Sequence, residues 1–393
     1  MYERHLFAAL KEHLTKPQAT VITGLRRVGK TTALKYLLDT VSHSNKLYLD
    51  FEKIENRVLF SENSYSAIES GLQALGLHLN IPCVLALDEI QLVPASTSVV
   101  KYLYDTYGIK FLLSGSSSYY IKNHFTESLA GRKRIFELYP LAFDEFLAFQ
   151  GYDSFAVSSF KLQMYQPFIY LKFKQSYETF LQFGGFPEVV MAETQEDKIA
   201  YLKDIINAYI ELDIKLLSDF KASNELYKLI QLLASRVGSR LDISKLSSIS
   251  GINRHKLADY LELLEYTYFI YRIPAFTKNK DKEISSQTKL YLADTGLLHL
   301  LAQVSSGQVF ENAIAQQLKN LGEVAYFQKK SGQEIDFILN QNTAVEVKET
   351  PSYSDLKTLN YRADDLSLEH RWLIGRTATA ADFRDWYWGG SIF

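Results

Sequence analysis

Residues 24–31 read Gly24-Leu25-Arg26-Arg27-Val28-Gly29-Lys30-Thr31, a complete GxxxxGK[ST] phosphate-loop pattern. The run Ala19–Thr23 before it is strand-like, and Thr31–Thr40 after it has helical spacing. Strand, glycine turn and helix in that order are what the chemistry of the motif needs. Gly24 and Gly29 let the backbone wrap, so that N–H groups from Leu25 through Val28 turn inward on phosphate oxygens. The helix start adds the positive end of its dipole, and Thr32 extends the nucleotide-binding stretch into the first turn. Lys30 is expected to reach the β- and γ-phosphates of ATP, and the Thr31 hydroxyl to ligate Mg²⁺.

Further along, Pro82-Cys83-Val84-Leu85-Ala86-Leu87-Asp88-Glu89 is an apolar run ending in two carboxylates. A buried parallel strand would deliver Asp88 to the carboxyl edge of a sheet, where such sheets bind ligands. Asp88 is expected to hold Mg²⁺ through water, and Glu89 to act as general base on the attacking water. A further strand ends at Ser114-Gly115-Ser116, where Ser114 could contact the γ-phosphate or simply close a Ser/Gly turn. Arg132, in Gly131-Arg132-Lys133-Arg134, reads either as an arginine finger or as part of a solvated basic turn.

The first 140 residues therefore predict an α/β domain with a parallel sheet. Its strands are expected at Ala19–Thr23, Lys46–Phe51, Cys83–Leu87, Lys110–Ser114 and Ile135–Leu138, with helices at Thr31–Thr40, Tyr65–Leu79 and Ser96–Tyr107. Residues 141–225 read as a helical, aromatic-rich lid or linker broken by Gly184-Gly185-Phe186-Pro187. Phe143, Phe146 and Phe149 recur at helical spacing, as core residues do.

Loop, acidic pair, SGS and GR in this order resemble AAA-type P-loop ATPases with a catalytic glutamate. The stretches GLRRVGKTT, LALDEIQ, LLSGSSS, LAGRKRIFELYPLAFDEF and FGGFPEVV are similar to a prokaryotic ATPase family that joins this domain to a C-terminal domain of unknown function. The likeness runs from about residue 17 to 375. It implies ATP hydrolysis with Ser114 as phosphate sensor and Arg132 as a phosphate-responsive or finger arginine, in cis or from a neighbour in an oligomer. It also implies a winged-helix module and a nuclease-like end.

The residues support each module separately. In 226–292, Asp242–Leu257 reads as helix, Gly251 turn and second helix, with Asn253 as its cap. Ile243, Leu246 and Ile249 form one apolar stripe, and Leu257, Leu261 and Leu264 another. Arg254, His255 and Lys256 occupy the first turn, where a recognition helix meets a DNA groove. Residues 278–288 read as a wing, with Lys278, Lys280, Lys282 and Lys289 on the wing side. Such a module also packs against protein partners, and the residues leave both uses open.

In 305–393, Asp336 and Glu346 lie on two runs joined by a polar turn, with Lys348 two residues on and Glu311 in an upstream helix. This resembles the PD-(D/E)xK nuclease superfamily with an α/β restriction-endonuclease-like fold. Glu311, Asp336 and Glu346 would hold Mg²⁺, and Lys348 would orient or deprotonate a nucleophile. A degenerate, non-cleaving platform fits the same residues.

Composition narrows the classes. The 393 residues are 47% hydrophobic and 22% charged, ordinary for a folded multidomain protein. One cysteine, Cys83, excludes an intramolecular disulfide and a thiolate zinc cage. No apolar signal core and no window of membrane-spanning length is present, so a cytoplasmic protein without a membrane partner is expected. The net charge of -2 hides a basic segment: 221–290 carry 12 Lys and Arg against 7 Asp and Glu. The function expected is an ATP-binding and ATP-hydrolysing switch coupled to nucleic-acid binding or processing. The alternative is a nucleotide-gated signalling ATPase that binds a protein partner and cuts nothing.

Overall fold

A computed structural model describes residues 2–116, 131–153, 157–214, 223–277, 286–329, 332–378 and 383–393. These divide into two compact units. The first comprises Met1–Tyr139 with Glu211–Asp219 and Tyr266–Tyr268; the second comprises Pro140–Ile210, Phe220–Glu265 and Phe269–Phe393. The second unit holds most of the segments 141–225, 226–292 and 305–393, apart from 211–219 and 266–268.

In the first unit, α1 (His5–Leu14) leads into β1 (Ala19–Thr23), the phosphate loop and α2 (Lys30–Thr40). Then follow β2 (Lys46–Asp50), α3 (Ile54–Phe60), α4 (Tyr65–Ala74), β3 (Val84–Asp88), α5 (Ser96–Tyr107), β4 (Lys110–Gly115) and β5 (Lys133–Glu137). The strands form one parallel sheet in the order β2-β3-β4-β1-β5. Every residue of β1 and β3 is buried, which is why these segments are continuous apolar runs without alternation. Val21, Leu85, Leu87, Phe111 and Leu113 pack with Val100 and Leu103 of α5 in the core. Because all five strands run the same way, their carboxyl ends share one edge. The phosphate loop leaves that edge from β1, Asp88 ends β3 there, and Ser114 is the last residue but one of β4.

The second unit starts with α6 (Phe143–Phe149), α7 (Pro167–Phe183), α8 (Pro187–Met191) and α9 (Gln195–Ala208). Phe143 and Phe146 are buried core while Phe149 is only half-buried, and Phe143 meets Tyr177, Phe180 and Trp388 at ring-centroid distances of 4.9, 5.5 and 5.9 Å. The Gly184-Gly185 turn has a tertiary cause. A Cβ on Gly184 would stand 2.0 Å from Asp294 Oδ1, and one on Gly185 would stand 2.4 Å from the Leu141 carbonyl.

Three helices follow, α10 (Ser223–Ala234), α11 (Ile243–Ser250) and α12 (Arg254–Tyr266), then the antiparallel pair β6 (Ile270–Ile273) and β7 (Lys289–Leu292). Gly251 ends α11 in the left-handed region at φ 73°. The Lys256 N–H donates to Asn253 Oδ1 at 2.9 Å, so Asn253 caps α12. Leu257, Leu261 and Leu264 are buried. The first stripe is corrected: Leu246 is buried, whereas Ile249 is 53% exposed and Ile243 lies largely at the surface. Lys278, Lys280 and Lys282 lie outside the described residues.

The chain ends with α13 (Thr295–Leu301), α14 (Ser306–Leu321), β8 (Val324–Gln328), β9 (Glu334–Leu339), β10 (Thr343–Lys348), α15 (Tyr353–Asp365), β11 (His370–Gly375) and β12 (Tyr387–Trp388). Its sheet is mixed, in the order β12-β11-β10-β9-β8, with β10 antiparallel to β9 and parallel to β11. No described helix is long and apolar enough to cross a membrane.

Candidate nucleotide site and carboxylate cluster

The phosphate loop is built on left-handed backbone at Gly24 (φ 148°), Arg27 (φ 64°) and Gly29 (φ 101°). Gly24 is required twice over, since a Cβ there would stand 2.1 Å from the Leu138 carbonyl oxygen. Gly29 opens α2 without a side-chain cap, and no acidic residue lies in the first turn. The N–H groups of such a helix start suit an anion. Lys30 Nζ donates to the carbonyls of Gly24 and Leu25, both at 3.0 Å, so the ammonium bridges the loop's own mouth. Buried Arg4 holds the loop from the other side, donating to Val28 O at 3.2 Å and to Tyr139 O at 2.8 Å. Arg26 lies 3.6 Å from Glu52.

Beside the loop, Asp88 is buried and held by two hydroxyls. Tyr48 OH donates to Oδ2 at 2.7 Å, and Ser114 Oγ makes a short hydrogen bond to Oδ1. The same Ser114 oxygen accepts the Glu89 N–H at 3.2 Å. Glu89 itself sits at φ 56°, an unusual conformation for a non-glycine residue and one that turns its side chain out of the strand direction. Gln91 Nε2 hydrogen-bonds Glu89 Oε2 and also donates to Ser116 Oγ at 3.1 Å. Burial pushes the Glu89 carboxyl above its ordinary range; Lys30, Arg26 and Gln91 pull it back only partly. A buried carboxylate with a raised pKa suits proton abstraction near neutrality.

The donor set fits a nucleoside triphosphate: inward backbone N–H groups, an ammonium and a helix N-terminus for the phosphates, while Thr31 and Asp88 would offer hard oxygen to Mg²⁺. Four contributors escaped the sequence reading. Tyr48, Gln91 and Arg4 belong to no motif, and Tyr268 donates to Glu137 Oε1 at 3.2 Å and shares a 2.6 Å hydrogen bond with Thr23, the residue before Gly24. Only "DEIQ" carried a local signal, a polar side chain two positions beyond Glu89.

Arg132 is not brought to this site. Ala19 pairs with Lys133 and Thr23 with Glu137, so Arg132 lies at the amino edge of β5. The loop is a strand's length away, roughly 17 Å. Its guanidinium pairs instead with Asp105 at 3.0 Å. An arginine so placed cannot act on the nucleotide of its own chain, which corrects the finger reading in cis.

The C-terminal residues are drawn together in an arrangement that differs from the expected one. Glu346 Oε1 meets Lys348 Nζ at 2.8 Å and Arg362 at 3.5 Å, while its Oε2 is buried without a hydrogen-bond partner. Asp336 Oδ2 accepts the Val347 N–H at 2.8 Å. Glu311 accepts from Tyr291 OH at 2.6 Å. The ammonium of Lys289 lies 2.5 Å from Glu334 Oε1 and 3.6 Å from Glu311 Oε1. Burial raises the carboxyls of Glu311 and Asp336, and lifts Glu346 to about 7. Among the described residues, no three His, Cys, Asp or Glu side chains converge as metal ligands. The Mg²⁺ set Glu311, Asp336 and Glu346 therefore does not fit as arranged, because Lys289 already supplies positive charge there.

Three family models match successive parts of the chain. Residues 16–147 match the family described as "AAA domain". Residues 174–308 and 306–389 match two families described as domains of unknown function. An uncharacterized protein of Methanocaldococcus jannaschii is 26% identical over 369 residues, covering 89% of this chain and 80% of the relative. An uncharacterized protein of Haemophilus influenzae is 26% identical over 331 residues, covering 81% and 78%. Among solved structures, the Aeropyrum pernix ORC1 protein in complex with DNA shares 10% identity at a TM-score of 0.34, covering 77% of this chain and 92% of that one. The ADP form of the Aeropyrum pernix ORC2 protein shares 14% at 0.37, covering 75% and 90%. Likeness at these TM-scores is too distant to carry an argument. The family match and the geometry of loop, Asp88 and Glu89 together support an AAA-type P-loop ATPase domain in residues 16–147.

Proposed function

We propose that the chain is an ATP-binding and ATP-hydrolysing switch whose nucleotide state governs nucleic-acid binding by residues 226–292. The observation that carries the first half is Asp88, clamped by Tyr48 and Ser114 at the carboxyl edge of the sheet that also launches the phosphate loop. Lys30 would exchange the carbonyls of Gly24 and Leu25 for phosphate oxygens when ATP enters. Thr31 and Asp88 would hold Mg²⁺, which would supply positive charge against the charge developing on the phosphates. Glu89 orients the attacking water and takes its proton, with Gln91 setting the direction of the carboxylate. Ser114, bridging Asp88 and the Glu89 backbone, would respond to the γ-phosphate through either residue.

Nucleic-acid binding is supported by the order α10–α11–α12–β6–β7, which matches a winged helix, and by Arg254 and His255, exposed in the first turn of α12. Lys256 is less available than the sequence suggests, because it pairs with Glu225 at 2.8 Å. A second reading, the protein-binding signalling ATPase with a non-cleaving nuclease-like domain, is favoured by the Lys289 ammonium among the carboxylates. One experiment separates the two: the ATPase rate with and without DNA at low salt. Stimulation together with salt-sensitive DNA binding supports the first reading. An unchanged rate with no binding favours the second.

A further inference from the structure

Lys289 is 4% exposed and begins β7, the strand after the wing-like loop. Burying an ammonium is costly unless carboxylates compensate it. Here they do: Glu334 lies at 2.5 Å and Glu311 at 3.6 Å. Tyr291, two residues on and therefore on the same face of β7, donates to Glu311. On the far side, Lys348 and Arg362 pair with Glu346 Oε1. Four carboxylates thus face three fixed cations, and one oxygen is left over. That oxygen is Glu346 Oε2, on a side chain only 8% exposed, with no hydrogen-bond partner. An acceptor buried and unsatisfied in this way is costly, so the cluster carries no spare negative charge cheaply.

We propose that Lys289 is the built-in cation of this pocket, closing a divalent-metal site that Glu311, Asp336 and Glu346 would otherwise form. A second, mobile cation of charge two would be repelled by an ammonium fixed among the same carboxylates. The carboxylates that the sequence reading assigns to Mg²⁺ therefore serve folding and anchoring of β7, and the domain is a platform without a resident metal. The proposal deepens the non-cleaving reading of this domain and stands apart from the ATPase, since no residue of the phosphate loop enters it.

The test is Mn²⁺ titration of the full chain without nucleotide, read as loss of the free-ion EPR signal. Wild type and Asp336→Asn are expected to bind alike. Lys289→Met is expected to gain one Mn²⁺ per chain, and Lys289→Met/Asp336→Asn to lose that gain. If wild type binds one Mn²⁺ that Asp336→Asn abolishes, Lys289 does not close the site and the proposal fails, whether or not Lys289→Met folds. A folded Lys289→Met that gains no Mn²⁺ overturns it equally. Lys30→Ala, run in parallel, should leave all four results unchanged while removing ATP binding, which separates this proposal from the ATPase reading.

Discussion

Ser114 donates to Asp88 across the neighbouring strands β4 and β3, and the same oxygen accepts the backbone N–H of Glu89. One hydroxyl therefore fixes both the residue that would hold Mg²⁺ and the direction in which the chain turns to present the general base. Removing it in Ser114→Ala should leave ATP binding within a few-fold of wild type and lower kcat roughly 10- to 100-fold, the cost of a hydrogen bond to a charged group. Tyr48→Phe, which removes the other hydroxyl on Asp88, should fall in the same direction. Steady-state hydrolysis beside nucleotide titration checks both, and a Ser114→Ala enzyme with unchanged kcat would remove Ser114 from the machinery.

Glu89 must be ionised to accept a proton, and burial raises its pKa. The rate should therefore fall on the acid side at a pH above the ordinary carboxylate range. Gln91 opposes the shift by donating to Glu89, so Gln91→Leu should move the acid limb of the pH–rate profile to still higher pH. Glu89→Gln should bind ATP and lose on the order of 10²–10⁴-fold in hydrolysis.

Gly24→Ala places a methyl 2.1 Å from the Leu138 carbonyl at a φ of 148° that alanine avoids. Loss of ATP binding with a lowered Tm is expected. Gly29→Ala meets nothing within 4 Å and carries only the backbone strain of its own φ, so its Tm should fall less. Thermal melts of the two variants make the comparison.

Asp294 caps α13 through the Leu297 N–H at 3.1 Å and accepts the Gly185 N–H at 2.7 Å. Complete burial lifts its pKa to about 6 from 3.8, against the pull of those N–H groups. The folded state thus holds the proton more tightly than the unfolded chain. Its contribution to stability is fully present below pH 3.8 and is lost as pH rises through 6, at most on the order of 3 kcal/mol. Denaturant unfolding of wild type and Asp294→Asn at several pH values should show the variant losing this slope between those limits.

Among the described residues, Arg132→Ala breaks the Asp105 pair at the far edge of the sheet. The ATPase rate at a concentration where the chain is monomeric by light scattering should change less than about two-fold, as for other exposed ion pairs. A large loss under those conditions would contradict the strand register.

Local pattern was enough wherever a chemistry demands consecutive residues. The loop 24–31 needs its glycines and lysine in one turn, and a parallel strand covered on both faces needs an unbroken apolar run, so β1, β3 and β4 could be read with a shift of one residue at most. The Asn253 cap and the Gly251 turn were readable for the same reason, because a helix end is satisfied by its own neighbours.

What the chain order could not reveal was which charges meet. Arg132 looked like a finger until the pairing of Ala19 with Lys133 put it at the wrong end of the sheet. Tyr48 and Gln91 carry no motif, and they matter because β2 lies beside β3 and because Glu89 turns left-handed. Glu311, Asp336 and Glu346 spell a metal site in sequence, yet Lys289, 22 positions before the first of them, pairs with Glu311 and with Glu334. The amino-acid sequence by itself determined the phosphate-binding loop, the parallel sheet that launches it and the carboxylates available for chemistry. Only the tertiary structure decided which cation those carboxylates keep, because a buried charge is settled by whatever long-range packing brings within a few ångströms of it.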